Sequence, residues 1–389
     1  MLRLTIFSAL FVMLISAMVF ADEIKTLDQA KALSSETGKP ILLKFYQDDC
    51  EYCSKFAQDA INLPEISSAL EKAIDLNVLM KDDHGKKLSE TYKVGIYFPA
   101  FFLLNGDGEI IKRWTGYVTP SSFLNMFNEY IDKTTTVEQR VRRFEKSPTF
   151  DDAIYLAEYF TEIWDYLKAN HYYFQARKLG DNPSAYAFEI FQNTANAAWQ
   201  DTITYEDALP AADSALMHFQ GNPRMLVKVA QIMVRLSRKL EKGDKVEKYL
   251  TPAIKATEGR GGNYHDDNIL LKAEYALFIE HDTTKAVDLK KSTMVSGWQD
   301  QPNKFYPFSR WCLEHNINLD EAESFARRAA DMASPGEFKG KVLNTLALIC
   351  EAREKYSEAA QYMQMAIDND PHNDYYPEKL DELKKQIGG

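Results

Sequence analysis

Two cysteines separated by two residues, Cys50 and Cys53, are the side chains of this sequence best suited to chemistry. They follow the apolar run 41–46, which predicts a buried strand, and they precede residues 54–60, which predict the start of a helix. Cysteines at this spacing at a helix N-terminus lie on one face and can close a small disulfide ring. The first would point outward, where the helix dipole and free backbone N–H groups favour a thiolate, the nucleophile of thiol–disulfide exchange. The second thiol would resolve the mixed disulfide, although a C-x-x-C pair also occurs as half of a zinc site.

A proline opens a second apolar run further along the chain. Pro99 begins the run 99–104, and because proline cannot donate to a central ladder it is expected at a strand start or in a tight turn, where a cis bond is an option. The segment 105–108 then predicts a hairpin turn into a strand over 109–114. A helix is predicted over 120–133. The order of predicted strands and helices along this segment gives a mixed sheet with helices on both faces.

Taken together, these motifs resemble the thioredoxin family. Cys50 and Cys53 match its redox pair, Phe98-Pro99 matches its cis-proline dipeptide, and Gly116 matches its glycine after the last strand. The resemblance covers roughly residues 24–133 and implies an α/β thioredoxin-like fold, a mixed sheet flanked by helices. It also implies that Cys50 attacks a substrate disulfide, that Cys53 resolves the mixed disulfide, and that Phe98-Pro99 holds the substrate strand by backbone contacts.

Four residues depart from the family pattern and are candidate modulators of the redox pair. Asp49 stands where thioredoxins usually carry Trp, Glu51 and Tyr52 replace Gly-Pro, and Lys44 stands where they usually keep a buried Asp that helps proton transfer. Lys44 either points toward the cysteines and favours a thiolate, or packs its stem while its amine reaches solvent. These departures make the segment look more like secreted, specialised thioredoxin-like proteins than a cytosolic thioredoxin.

Three acidic residues surround the first cysteine. Asp48, Asp49 and Glu51 are close to Cys50 in sequence, and nearby carboxylates disfavour a thiolate, whereas the helix N-terminus favours one. Strongly oxidising exchange proteins depend on a much stabilised thiolate. We therefore predict a comparatively reducing couple that reduces or isomerises disulfides and needs an electron donor in its compartment.

The first 21 residues predict a targeting segment. Arg3 supplies a positive n-region, residues 4–20 are largely apolar, and residues 19–21 offer a small-residue cleavage site. A cleaved signal peptide at 1–21 is preferred to an uncleaved anchor because the run is short for a membrane span and lacks a basic flank. We therefore expect export, most consistent with the periplasm, with secretion or a signal-anchored state as the alternatives.

Composition limits the classes of partner. The net charge of −11 argues against nucleic acid or an anionic membrane surface as a partner. No Ser/His/Asp spacing, phosphate loop or His-rich metal motif occurs in the sequence, so no cofactor and no metal site is predicted. His84, within the segment 81–85, is interpreted as part of a solvated loop rather than as a metal ligand.

Residues 137–389 predict a second, all-α domain, after a thioredoxin-like domain at 22–133 and a boundary at 134–136. The segment 358–371 resembles the second helix of a tetratricopeptide repeat, with small residues at Ala359 and Ala366. Small residues let paired helices approach closely, and stacked pairs bury a continuous core. Earlier copies occur at 320–335 and, more weakly, at 206–223, so we expect an irregular tetratricopeptide-like solenoid of up to about seven helix pairs.

Such a solenoid offers a concave groove for a protein ligand. The aromatic residues between 155 and 174 either line that groove or, as we prefer, form the core of helix pairs. Cys312 and Cys350 lie near equivalent positions of successive repeats, too far apart for a disulfide, and are predicted to be buried free thiols.

Three hypotheses of function follow from the sequence. The first is an exported thiol–disulfide oxidoreductase that acts on protein disulfides or thiols with a redox partner in its compartment, while the helical repeats recruit a protein ligand. The second is a non-catalytic interaction scaffold with a structural disulfide. The third is metal binding by Cys50 and Cys53, which requires further ligands that the local sequence lacks. Thiol reactivity discriminates between the first two, because only a catalytic pair has one fast-alkylating thiol.

Overall fold

The computed structural model describes residues 24–48, 50–182, 184–294, 297–298, 301–371, 373 and 375–388. The predicted signal peptide at 1–21 and Asp49 lie outside these residues. The chain divides into two compact units, with the division after Arg142. Within the described ranges, no helix is both long and apolar enough to cross a membrane.

A four-stranded mixed sheet with the strand order β2-β1-β3-β4 forms the centre of the first unit. Strand β1 (Ile41–Tyr46) runs parallel to β2 (Ile74–Leu79) and antiparallel to β3 (Ala100–Leu104), and β3 pairs antiparallel with β4 (Ile110–Thr115). The two central strands are buried along almost their whole length, which explains why they are continuous apolar runs in the sequence.

Five helices cover both faces of this sheet: α1 (Leu27–Thr37), α2 (Glu51–Asn62), α3 (Pro64–Leu70), α4 (Asp83–Tyr92) and α5 (Pro120–Tyr130). On one face, Phe56 of α2 and Phe123 of α5 pack against Phe101 of β3. Phe102 points to the opposite face, where its ring lies 5.6 Å from that of Tyr92 in α4. The predicted architecture of this region, a mixed sheet with helices on both faces, is confirmed.

One local prediction in this unit is wrong. Residues 81–85 were expected to form a loop, but α4 begins at Asp83 and includes His84, whose side chain is exposed. The helix includes Gly85 because of a tertiary contact. Gly85 packs so closely on the end of β2 that a side-chain carbon there would collide with the Leu79 carbonyl oxygen. Glycine is a poor helix former, so its packing role is hidden from a local reading.

Every described element after β4 is helical. Helix α6 (Val137–Lys146) contains the division between the two units. The second unit continues with α7 (Phe150–Glu162), α8 (Tyr166–Leu179), α9 (Ala187–Trp199), α10 (Tyr205–His218), α11 (Pro223–Lys239), α12 (Glu247–Thr257), α13 (Asn263–Tyr275), α14 (Thr283–Ser292), α15 (Pro302–His315), α16 (Leu319–Met332), α17 (Glu337–Ala352), α18 (Tyr356–Asn369) and α19 (Tyr375–Gly388). A 3₁₀ turn (Gly243–Lys245) and a π-helical turn (Ala276–Glu280) interrupt the series.

Helices of the second unit pack mainly on their neighbours in sequence. Helices α9, α11 and α13 also contact each other in turn, as do α15 and α17, so alternate helices form a layer of their own. The small residues that predicted close helix approach, including Ala359 and Ala366, are fully buried. The predicted helical region is confirmed, and its description as a tetratricopeptide-like solenoid stays a prediction that this layering supports.

The predictions for the side chains of the helical unit are also informative. Cys312 and Cys350 are buried free cysteines, as expected, and burial raises their pKa values to about 12 and about 11. Among the aromatic residues between 155 and 174, Tyr155, Phe160, Tyr172 and Tyr173 are buried, whereas Trp164 and Phe174 are exposed. Tyr159 and Tyr166 are half-buried, so four of the eight aromatic residues lie in the buried core.

Residues 22–133 expressed alone are expected to fold, because the sheet and its aromatic core are complete within them. Circular dichroism and urea titration should show one cooperative transition, and a glutathione redox titration should show an intact Cys50–Cys53 couple. The fragment 22–142, which extends to the end of the first compact unit, is the matched control. A molten 22–133 beside a cooperative 22–142 would move the domain boundary into α6.

Candidate redox site

Cys50 and Cys53 form a disulfide at the start of α2, with their Cα atoms 5.1 Å apart. Cys50 is the N-cap residue of this helix, and its Sγ accepts a hydrogen bond from the backbone N–H of Cys53 at 3.1 Å. Both side chains are half-buried. Once the pair is reduced, this N–H and the positive end of the helix would stabilise a negative charge on Cys50 in particular.

The Phe98–Pro99 peptide bond is cis and lies directly before β3. Ala100 pairs with Phe45 of β1, so Pro99 lies at the edge of the sheet where β1 ends and the chain continues to Cys50. The carbonyl oxygen of Pro99 accepts a hydrogen bond from the N–H of Gly116 at 2.8 Å. Gly116 has a φ of +81°, a left-handed conformation that favours glycine.

Side-chain contacts fix the redox helix to the loop after β4. Lys55 of α2 donates to the Val118 carbonyl oxygen at 2.7 Å, and the Tyr117 hydroxyl donates to Asp59 of α2 at 2.7 Å. Burial, together with Asp59, raises the pKa of Tyr117 well above its ordinary value. Since Gly116 of this loop also contacts Pro99, the C-x-x-C, cis-proline and glycine motifs form one connected structure.

Exposed apolar side chains belong to the same three segments. Tyr52 lies between the cysteines, Ile96 and Tyr97 precede the cis-proline dipeptide, and Val118 follows Gly116, and all four are exposed. Their positions beside the disulfide and the cis-proline dipeptide make these side chains candidates for substrate contact. Tyr52 was already a candidate from the sequence, whereas the other three were missed, although apolar residues in predicted connecting segments were an available signal.

Lys44 is 7% exposed, and its ammonium forms an ion pair with Asp75 of β2. Its Nζ donates to Oδ2 of Asp75 at 2.8 Å and lies 2.7 Å from Oδ1, and it also lies 5.2 Å from the centre of the Phe56 ring. The alternative in which the amine reaches solvent is therefore wrong. The alternative in which it acts on the cysteines stays a prediction.

The partner of Lys44 depends on strand register. Lys44 is opposite Asn77 in the parallel β1–β2 pair, which places Asp75 two positions along the same face. Sequence alone gives no register between strands this far apart, so Asp75 was missed.

Two of the three acids near Cys50 are described by the structure. Asp48 forms an ion pair with Lys81 at 2.6 Å, and this contact raises the pKa of the exposed Lys81. Glu51 is exposed in the first turn of α2. Lys81, which partly balances the charge of Asp48, could not be predicted from the sequence.

One other cluster among the described residues has the composition of a metal site. Ligand-type atoms of Glu323, Cys350 and Glu358 lie within 4.8 Å of one another. However, Glu323 accepts hydrogen bonds from Arg327 at 2.5 Å and from Lys355 at 2.9 Å. Although desolvation opposes it, this pairing lowers the pKa of Glu323 to about 2. The carboxylate is thus already paired with cations, and the cluster is an ion-pair network between α16, α17 and α18.

Comparison with known proteins identifies the domain that holds the cysteines. Residues 27–131 match the family described as a thioredoxin-like domain. Two curated relatives are the thiol:disulfide interchange proteins DsbD of Neisseria meningitidis serogroup A and serogroup B, each 27% identical over 101 residues. The match covers 25% of this chain and 16% of each relative, so the chain spans about a sixth of the length of the curated relatives it matches.

Two solved structures are each similar to about a quarter of the chain. A thioredoxin from Thermus thermophilus is 23% identical, with a TM-score of 0.25, and the match covers 27% of this chain and 83% of that one. The oxidised C-terminal domain of Neisseria meningitidis DsbD is 24% identical, with a TM-score of 0.23 and coverage of 26% and 90%. From the family match, the mixed sheet and the disulfide at the start of α2, we conclude that residues 27–131 form a thioredoxin-like domain.

Proposed function

We propose that this protein is an exported thiol–disulfide oxidoreductase that reduces or isomerises disulfides in protein substrates. The observation that carries the proposal is the Cys50–Cys53 disulfide at the N-terminus of α2 in a thioredoxin-like domain. The periplasm is the compartment most consistent with the predicted signal peptide. The DsbD relatives are thiol:disulfide interchange proteins, which supports the same chemistry.

In the reductive direction, the Cys50 thiolate attacks one sulfur of a substrate disulfide. A mixed disulfide forms and one substrate thiol leaves with a proton from solvent. Cys53 then loses its proton and attacks the Cys50 sulfur, which releases the second substrate thiol and forms the Cys50–Cys53 disulfide. Two electrons have passed to the substrate, so a dithiol redox partner in the same compartment must reduce the pair again.

The cis-proline segment is the proposed substrate-binding element. Pro99 uses its carbonyl oxygen internally, with Gly116, but the backbone of Phe98 makes no hydrogen bond within the described residues. An extended substrate strand can pair with this free backbone, as in other cases of strand addition. Exposed Ile96 and Tyr97 would then contact apolar substrate side chains next to the disulfide.

The helical unit is the proposed recruiting region for a protein ligand. Its layered helices resemble the stacked pairs that create concave binding surfaces in helical solenoids. Recruitment would raise the local concentration of a substrate or redox partner near the thioredoxin-like domain.

The redox potential tests the proposed direction of electron flow. We expect a Cys50 pKa above that of strong oxidants and a comparatively reducing couple, because Glu51 and the acids before Cys50 oppose a thiolate. Replacing Asp48, Asp49 and Glu51 with amides should lower this pKa and make the couple more oxidising. A glutathione redox titration and pH-dependent alkylation of Cys50 measure both quantities.

A variant in which one acid far from the cysteines is neutralised separates the local effect of Glu51 from the effect of net charge. Glu129 lies in α5 close to Ile131, which lines a cavity with Pro40 at the opposite end of β1 from the cysteines. Glu129→Gln should therefore leave the couple unchanged, whereas Glu51→Gln should shift it. A strongly acidic Cys50 with an oxidising potential in the unmodified protein would overturn the reductive direction.

A further inference from the structure

The helical unit contains a concave pocket of about 580 Å³. Helices α9, α11 and α13 contribute to its wall, and these are the alternate helices that form a layer of their own. Helices α14 and α15 complete it through Lys290 and Trp311. The pocket therefore lies on the face that a stacked helical array presents as its binding surface.

Cationic side chains are concentrated in this pocket, although the whole chain has a net charge of −11. Lys228, Gln231, Arg235 and Arg238 are three, four and three positions apart along α11, which places them on one helix face. Lys290 of α14 adds a further positive charge. This face of α11 extends over about 15 Å, the length of roughly four to five residues of an extended peptide.

Three of these cations have no carboxylate partner. Among the described residues, Lys228, Arg235 and Lys290 form no ion pair, and each instead lies over an aromatic ring at 5.3 to 6.0 Å. Burial lowers the pKa of Lys290, although Glu274 and Glu314 oppose this effect. A desolvated ammonium without a paired anion is costly, so an anionic ligand would gain from binding here.

Apolar side chains separate the charged ones. Phe188, Ile232, Leu270 and Trp311 line the same pocket. A ligand that fits has carboxylates for the cations and apolar side chains for these residues. An acidic peptide with interspersed apolar residues has both, whereas inorganic phosphate offers only charge.

We propose that this pocket binds an extended acidic segment of a partner protein, with its carboxylates at Lys228, Arg235 and Lys290. The inference deepens the proposed recruiting role of the helical unit and does not depend on the chemistry of the cysteines.

Fluorescence anisotropy with the full-length protein tests the proposal. The probe is a labelled six-residue peptide of alternating glutamate and leucine, and the comparison is the same peptide with glutamine in place of glutamate. We expect saturable binding of the acidic peptide only, weakened by added salt. The Lys228→Gln/Arg235→Gln variant should bind it at least about tenfold more weakly, since each lost pair to a carboxylate is worth roughly that factor.

Lys255→Gln/Lys272→Gln is the matched control, because it removes the same charge from side chains that line a different cavity. It should bind the peptide like the unmodified chain, with circular dichroism showing that both variants are folded. Absence of saturable binding, equal binding of the glutamine peptide, or full displacement by inorganic phosphate would each overturn the proposal. Cys50→Ser should bind the peptide normally, so a failed redox proposal and a failed binding proposal give different results.

Discussion

Replacing Cys50 with serine is expected to reduce disulfide exchange to the uncatalysed rate, whereas replacing Cys53 with serine should trap mixed disulfides. Cys50 is the N-cap residue whose sulfur accepts the Cys53 N–H, so its thiolate is the stabilised one. Without this thiolate no attack on a substrate occurs. Without the Cys53 thiol, attack still occurs but the mixed disulfide is not resolved.

Turnover of a protein disulfide measures the first effect, and non-reducing electrophoresis followed by mass spectrometry measures the second. Cys312→Ser and Cys350→Ser are matched controls, because both thiols are buried and have raised pKa values. They should neither slow turnover nor trap substrate. Equal trapping by the Cys50 and Cys53 variants would contradict the assignment of roles, and full activity of Cys50→Ser would favour a structural disulfide. Trapping with Cys53→Ser in the native host would also identify the substrate.

The elements that position the redox pair could be predicted because their signals are local. The apolar run 41–46 became β1, and Pro99 lies directly before β3 after a cis bond. Similarly, the small residues of 358–371 predicted a closely packed helix, and α18 has that role. In each case a short stretch of sequence contains the physical reason for the structure.

What the sequence did not reveal depends on non-local geometry. Asp75 and Lys81 were missed as partners of Lys44 and Asp48, because both contacts require the placement of β2 beside β1. The cationic pocket was missed for the same reason. The face of α11 that carries Lys228 becomes a pocket wall only when α9 and α13 stack beside it.

Replacing Asp75 with alanine is expected to destabilise the thioredoxin-like domain by about 3 kcal/mol. Lys44 is 7% exposed, so the substitution would leave a buried ammonium beside the Phe56 ring without its carboxylate partner. This loss lies at the lower end of the range for broken buried ion pairs, because the Asp75 side chain is 34% exposed and water can partly reach the site. Hydrogen exchange of β1 and β2 peptides in the full-length protein gives the free energy of opening.

Two comparisons isolate the ion pair as the cause. Lys44→Met/Asp75→Ala should recover most of the lost stability, because an apolar side chain removes the uncompensated charge and keeps the packing. Asp48→Ala breaks the more exposed pair with Lys81 and should cost clearly less stability than Asp75→Ala. If Asp75→Ala were no more destabilising than Asp48→Ala, the Lys44 ammonium would have to be solvated in the native state. If the double variant were as unstable as Asp75→Ala, lost packing rather than an unpaired charge would explain the effect. If Asp75→Ala lost stability and Lys44→Met/Asp75→Ala regained it, the result would show that β1 tolerates Lys44 because β2 supplies Asp75 beside it.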